Sequence, residues 1–213
     1  GCVFCQNRSI SREGEGKALS PDELYAVFRR LADQGAACIE LVTPTQFTHV
    51  LARVLERPIP GGLPVVWNSG GYERAEVLRG LEGKVDVYLP DLKYVTPALA
   101  GRYSGAADYP EAAKKAILEM VRQRGPVRLE DGLLKSGVLI RHLILPGQTR
   151  EAQRVMDWVA DSFPPGTVLF SLMAQYTPVG ELDGFPELQR PLRASELRAA
   201  KAYMEDLGLA GYV

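Results

Sequence analysis

The stretch VDVYLPDLKY, residues 85–94, sets the fold class: an apolar run of strand length, Val85 to Leu89, ends directly in Asp91, Lys93 and Tyr94. Short apolar runs bounded by polar and turn-forming residues are how the buried strands of a parallel sheet read in a sequence. The pattern recurs on both sides of this stretch. CIELV from Cys38 leads into TPTQF (43–47), LPVVW from Leu63 into NSGGYE (68–73), VLIRHLIL from Val138 into PGQTR (146–150), and TVLFSLM from Thr167 into AQYTP (174–178).

Segments of helical period separate these runs, which predicts repeated βα units. The first helix opens on Ser20, Pro21 and Glu23, a capping box with proline in the first turn, and its apolar stripe is Leu24, Val27, Phe28 and Leu31. Later stripes are Val50, Leu51, Val54 and Leu55; Ile117, Met120 and Val121; Val155, Met156, Val159 and Phe163; and Leu197, Ala200, Met204 and Leu207. One excursion, VRLEDGLLKSG from Val127, interrupts the alternation and reads as a hairpin turning at Asp131 and Gly132. At 213 residues, with no linker and no shift in composition, the chain reads as one domain, 1–213.

Composition narrows the function classes. A hydrophobic fraction of 46%, a charged fraction of 24% and a net charge of -1 describe a folded globular chain rather than a disordered one. Acidic and basic residues are interleaved, so no basic stripe is offered to a phosphate backbone. No apolar run approaches the roughly 20 residues that span a bilayer. Neither nucleic acid nor a membrane is expected as a partner, and the expected location is cytoplasmic.

In a parallel α/β barrel the loops after successive strands converge on one rim, so the five polar segments predict a shared site there. Gly70 and Gly71 suit a turn with positive φ and the close approach of a ligand to the backbone.

The three cysteines are too few for a disulfide framework, and Cys2 and Cys5 in GCVFCQN read as ligands or redox groups. Cys38, inside CIELV, reads as a buried small hydrophobe. Spacing alone leaves half a zinc site, a thioredoxin-like dithiol and coincidence all open for Cys2 and Cys5. The two histidines, His49 and His142, form no ligand pair.

Taken with VTPT, YLPDLKY, RHLILPG and MAQYTP, the CVFCQN stretch resembles the radical S-adenosylmethionine superfamily, near the activating enzyme of pyruvate formate-lyase and its bacterial and archaeal homologues. The resemblance runs over nearly the whole chain. The superfamily's motif is Cys-x-x-x-Cys-x-aromatic-Cys, which makes Cys2 and Cys5 its second and third cysteines and Phe4 its aromatic, with the first cysteine expected three residues before Gly1. The resemblance implies a [4Fe-4S] cluster with one open iron position, filled by the amino and carboxylate groups of S-adenosylmethionine. It implies a 5′-deoxyadenosyl radical that takes a hydrogen atom from a substrate, and a flavodoxin or ferredoxin-like electron donor.

The resemblance also assigns residues to the cofactor. Asp91 and Lys93 match an Asp-x-Lys that positions the methionyl end, where Lys93 suits a carboxylate. Asn68 and Ser69, with Gly70 and Gly71, align with an Asp-Thr-Asn-Gly stretch, and Asn68 lacks that aspartate's charge. Thr43, Pro44 and Thr45 stand where the superfamily commonly has Gly-Gly-Glu, so that hydroxyls replace a carboxylate as acceptors. Arg141 reaches the cofactor if it faces the barrel interior, and His142 then points the other way, into a structural role. Gln175 and Tyr176 fall at the adenosyl-contacting strand end.

The expected architecture is therefore α/β, a partial (β/α)6 TIM-like barrel whose first strand is missing at the N-terminus, leaving an open edge. The expected function is a radical enzyme that abstracts hydrogen from a protein or peptide, by analogy a glycine Cα of a glycyl-radical enzyme. The same chemistry on a small metabolite, and a non-catalytic zinc- or ligand-binding barrel, are the alternatives. With two of three thiolates, the chain as given is expected to be inactive.

Overall fold

The computed structural model describes residues 1–11 and 14–213. In chain order its elements are α1 (Arg8–Ser11), α2 (Pro21–Asp33), β1 (Ile39–Val42), α3 (Thr48–Val54), β2 (Val65–Ser69), α4 (Ala75–Arg79), β3 (Val87–Pro90), α5 (Pro97–Ser104), α6 (Tyr109–Arg124), β4 (Arg128–Glu130), β5 (Leu133–Leu143), α7 (Thr149–Ser162), β6 (Leu169–Met173), α8 (Ala194–Asp206) and β7 (Gly211–Tyr212). The sheet runs β1-β2-β3-β5-β6-β7, with β4 attached to β5 alone. It does not close among the described residues, and the fold is α/β, a partial TIM-like barrel, as the alternating runs predict.

The chain falls into two compact units. The first, here the cysteine unit, comprises Gly1–Gly16, Leu92–Glu111 and Ile140–Val213; the second, here the β1–β3 unit, comprises Lys17–Asp91 and Ala112–Leu139.

In the β1–β3 unit the sequence signals act locally. At the start of α2 the Ser20 side chain accepts from the Glu23 amide (3.2 Å), and the Glu23 carboxylate accepts from the Ser20 amide (2.8 Å). These bonds satisfy helix-end donors, and the one from the Ser20 amide holds the Glu23 carboxyl below its usual range. The hairpin turns at Asp131 (φ 51) and Gly132 (φ 76), both in the left-handed region that a two-residue turn requires. Gly137 is demanded by close approach, since a Cβ there would lie 2.8 Å from Val127 Cα.

Strands β1, β2 and β3 pair in parallel, with Ile39 beside Val65, Leu41 beside Trp67, and Trp67 beside Tyr88. This register gives the sheet two unlike faces. Ile39, Val65, Trp67, Ser69 and Tyr88 share one face and are all buried. α6 covers it: Gln123 accepts from the Tyr88 hydroxyl (2.6 Å), and Ile117 and Met120 are fully buried. The other face carries Glu40, Val42, Val66, Asn68 and Leu89, of which Glu40 and Val42 are exposed and Asn68 and Leu89 half-buried.

In the cysteine unit the same alternation runs along the end of β5, where Ile140 and His142 are buried and Arg141 and Leu143 are half-buried. Arg141 and His142 thus occupy opposite faces, as expected. α7 buries Ala152, Val155, Met156 and Val159. From its first turn Glu151 accepts the amides of Val95 and Thr96 (both 2.7 Å) and the Thr96 hydroxyl (2.5 Å), capping α5 from another helix. The one strand the periodicity did not announce is β7, whose two residues pair in parallel with β6, Gly211 beside Phe170.

Candidate functional site

In the cysteine unit, the CVFC stretch is a single turn docked on the end of α5. The Cys5 amide donates to the Cys2 carbonyl (3.3 Å), and the Val3 amide donates to the Tyr103 carbonyl (2.9 Å). Phe4 is buried and meets the Tyr176 ring edge-on at 6.2 Å. This anchor leaves both thiols, which are free of disulfides, half-buried on either side of it. Cys2 Sγ lies 3.0 Å from Ser104 Oγ, and Ser104 Oγ lies 3.0 Å from the hydroxyl of Tyr94. Burial pushes the Tyr94 phenol well above its ordinary pKa, so it keeps its proton.

The fifth polar segment comes to this turn. Gln6 Nε2 reaches the Gln175 carbonyl at 3.5 Å, and Gln175 keeps an exposed side chain. The Tyr176 hydroxyl donates to the Leu188 carbonyl (2.7 Å), so what Tyr176 offers the turn is its ring. Cys2, Cys5, Gln175 and Tyr176 are therefore brought together.

Residues 92–96 are fixed in the same unit by reciprocal bonds. The Leu92 amide donates to the Arg141 carbonyl and the Lys93 amide to the Tyr109 hydroxyl, at 2.8 and 3.0 Å. His142 Nδ1 lies 2.8 Å from the Leu92 carbonyl, and since a carbonyl only accepts, Nδ1 carries the proton. Lys93, His142 and Glu151 line a cavity of about 10 Å³, room for a single water. His142 thus serves the fold. Arg141 is half-buried with its Nε enclosed.

In the β1–β3 unit the rim residues divide between the two sheet faces. Asn68 Nδ2 donates to Glu40 on the less buried face (2.7 Å). Thr43, just past β1, donates its amide to the Asn68 carbonyl (2.8 Å) and has φ 53. A β-branched residue in the left-handed region is strained, and such strain concentrates at functional loops. The buried face carries a second network around Glu73. Its carboxylate accepts from the Thr45 hydroxyl (3.1 Å), the Trp67 indole (2.9 Å) and the Ser69 hydroxyl (2.5 Å). Ser69 is buried on the face opposite Asn68, with its proton committed to Glu73; Thr45 is half-buried and presents only lone pairs elsewhere. Asp91 closes this unit, its amide donating to the Ser69 carbonyl (2.9 Å).

Sequence reasoning passed over Glu40, Glu73, Ser104 and Glu151. Glu40 had a signal, an acidic residue inside the apolar run CIELV, and Glu73 closes the rim segment NSGGYE within six residues of Trp67 and Ser69, whereas Ser104 and Glu151 are visible only through partners distant in sequence. Cys38 is half-buried, and burial followed by the Glu40 charge pushes its thiol up, away from thiolate chemistry.

Two soft thiols on one turn fit an iron–sulfur cluster as two of its ligands. Among the described residues no set of three ligating side chains gathers. No helix among them is long and apolar enough to cross a membrane.

Residues 1–159 match the radical SAM superfamily. The chain is 26% identical over 217 residues to an uncharacterized protein of Methanocaldococcus jannaschii, with 98% of this chain and 60% of that protein covered, so it spans well under two thirds of that relative. A domain of pyruvate-formate lyase-activating enzyme from Bacteroides vulgatus superposes with a TM-score of 0.61 at 14% identity, covering 84% of this chain and 99% of that one. Streptococcus suis SuiB bound to S-adenosylmethionine superposes with a TM-score of 0.63 at 12% identity, covering 100% of this chain and 47% of that one. At such identities these two likenesses concern the fold.

Proposed function

The chain belongs to the radical S-adenosylmethionine superfamily, a family of enzymes, and from that premise we propose a radical enzyme of the activating-enzyme type, acting on a protein or peptide with the whole chain as one core domain. The observation that carries the reading is the cysteine turn, in which a buried aromatic anchor, Phe4, holds two half-buried thiols on one turn docked at the end of α5. When bound, a [4Fe-4S] cluster and S-adenosylmethionine supply one-electron chemistry leading to hydrogen-atom abstraction.

Around that group the chain's residues take separate tasks. Cys2 and Cys5 would hold iron, and Phe4, buried against the Tyr176 ring, fixes the turn that carries them. Lys93 and Arg141 would supply positive charge for a carboxylate of the cofactor. Gln175 and Tyr176, beside the cysteine turn, would flank the adenosyl end. A flavodoxin or ferredoxin-like protein delivers the electron. Exposed Val42, Phe47 and Tyr72 on and just after β1 and β2 suit a peptide better than a small polar metabolite.

The test uses the full natural chain with its cluster reconstituted without oxygen, reduced, and given S-adenosylmethionine with or without a glycyl-radical enzyme. Stable radical formation on the added protein is expected. Cofactor cleavage that responds only to small metabolites would overturn the protein-substrate reading.

A further inference from the structure

Ser104 ends α5 next to the cysteine turn, and its hydroxyl has one proton to place between two neighbours, Cys2 Sγ and the Tyr94 hydroxyl, each at 3.0 Å. Tyr94 decides the direction. Its side chain is 1% exposed, and Ser104 Oγ is the partner of its hydroxyl. Were Ser104 to donate to Tyr94, the phenol proton would be buried without an acceptor among the described residues, which is the costlier arrangement. Tyr94 therefore donates to Ser104, and Ser104 donates to sulfur. A metal-bound thiolate carries no proton, so in the holoprotein no other direction exists.

The geometry is held from three sides. Gly105, at φ 66, ends α5 and bonds back to Gly101 (3.0 Å), fixing where Ser104 sits. The Val3 amide on the Tyr103 carbonyl fixes the cysteine side. The Tyr94 ring is boxed by Tyr103 at 6.2 Å and Tyr109 at 5.7 Å. The turn meets the C-terminal end of α5 through the Tyr103 carbonyl, and the negative pole of a helix by itself disfavours adding an electron nearby.

We propose that Ser104, oriented by Tyr94, is a positioning residue whose hydroxyl proton rests on the Cys2 sulfur and raises the reduction potential of the cluster held there. Hydrogen bonds to cluster sulfurs withdraw negative charge and favour the reduced state. The inference rests on the reading of Cys2 as a cluster ligand.

The test is a potentiometric titration, followed by electron paramagnetic resonance, of the reconstituted full natural chain and its Ser104→Ala, Ser104→Thr and Tyr94→Phe variants, with iron content measured in each. The expected midpoint is more negative in Ser104→Ala, unchanged in Ser104→Thr, and shifted the same way but less in Tyr94→Phe, whose distal hydroxyl alone is lost. Full iron content in Ser104→Ala with the wild-type midpoint would overturn the inference while leaving the cluster reading intact. If Ser104→Ala does not hold iron, Tyr94→Phe decides, and an unshifted midpoint there overturns it equally. A wild-type chain that takes up no cluster would remove the cluster reading and this inference together.

Discussion

The cysteine turn and the β1–β3 rim use hydroxyl groups in opposite ways. At the turn, Ser104 faces a sulfur and its proton is available to it. At the rim, the Thr45 and Ser69 protons are both taken by Glu73, and the hydroxyls are tied down by a buried carboxylate. One region is arranged around a half-buried sulfur; the other ties Thr45, two residues beyond the strained backbone at Thr43, to a buried carboxylate. Chemistry and support are thus separable by mutation.

The largest expected effect is on the first region alone. Cys2→Ala or Cys5→Ala should reduce bound iron to background in the reconstituted protein while leaving the urea midpoint of the metal-free protein within error, since each thiol is half-buried. Iron assay and urea titration on the same samples check this. Glu73→Ala should do the reverse. It leaves the indole of Trp67 and two hydroxyls without their acceptor, for a loss of about 3 kcal/mol. An unchanged urea midpoint for Glu73→Ala would break the contrast.

The capping box at Ser20 and Glu23 and the turn at Asp131 and Gly132 are chemistry within a few residues, so they were readable directly. Strand runs were readable by length and composition, although β2 begins at Val65 rather than at Leu63, with Pro64 lacking a donor for the ladder. β7 was not, because two residues carry no period and their pairing depends on β6 being in place. Of the site, the cysteines and the rim segments announced themselves by motif. The role of Glu73 did not: Ser69 and Trp67 are local donors to it, but Thr45 is 28 residues away, and no local pattern marks that partner. Glu151, reaching back 55 and 56 residues to Thr96 and Val95, is the same case.

A smaller effect would sharpen the contrast within the rim. Thr43→Gly removes a Cβ from a left-handed conformation and should stabilise the protein by up to about 1 kcal/mol. Thermal unfolding would measure it, and a destabilised variant would mean that Thr43 contributes contacts exceeding its strain. The smallest effect is the pH response of the cysteine unit. Arg190, which faces Glu196 at 2.7 and 2.8 Å, holds its carboxyl down at about 2, aided by the Arg193 and Gly147 amides. A depressed folded-state pKa gives stability that is complete above the unfolded carboxylate value of about 4.3 and lost as pH falls toward 2. Glu196→Gln should therefore flatten the stability profile between about pH 4 and pH 2, which urea titrations across that range would show.

The most direct measurement on the central claim is the electron paramagnetic resonance spectrum of the reduced, reconstituted full natural chain before and after adding S-adenosylmethionine. A [4Fe-4S] signal, dependent on Cys2 and Cys5, that changes when the cofactor is added is expected, as an iron with an open position requires. Zinc retained in place of iron, or a cluster signal indifferent to S-adenosylmethionine, would contradict that claim.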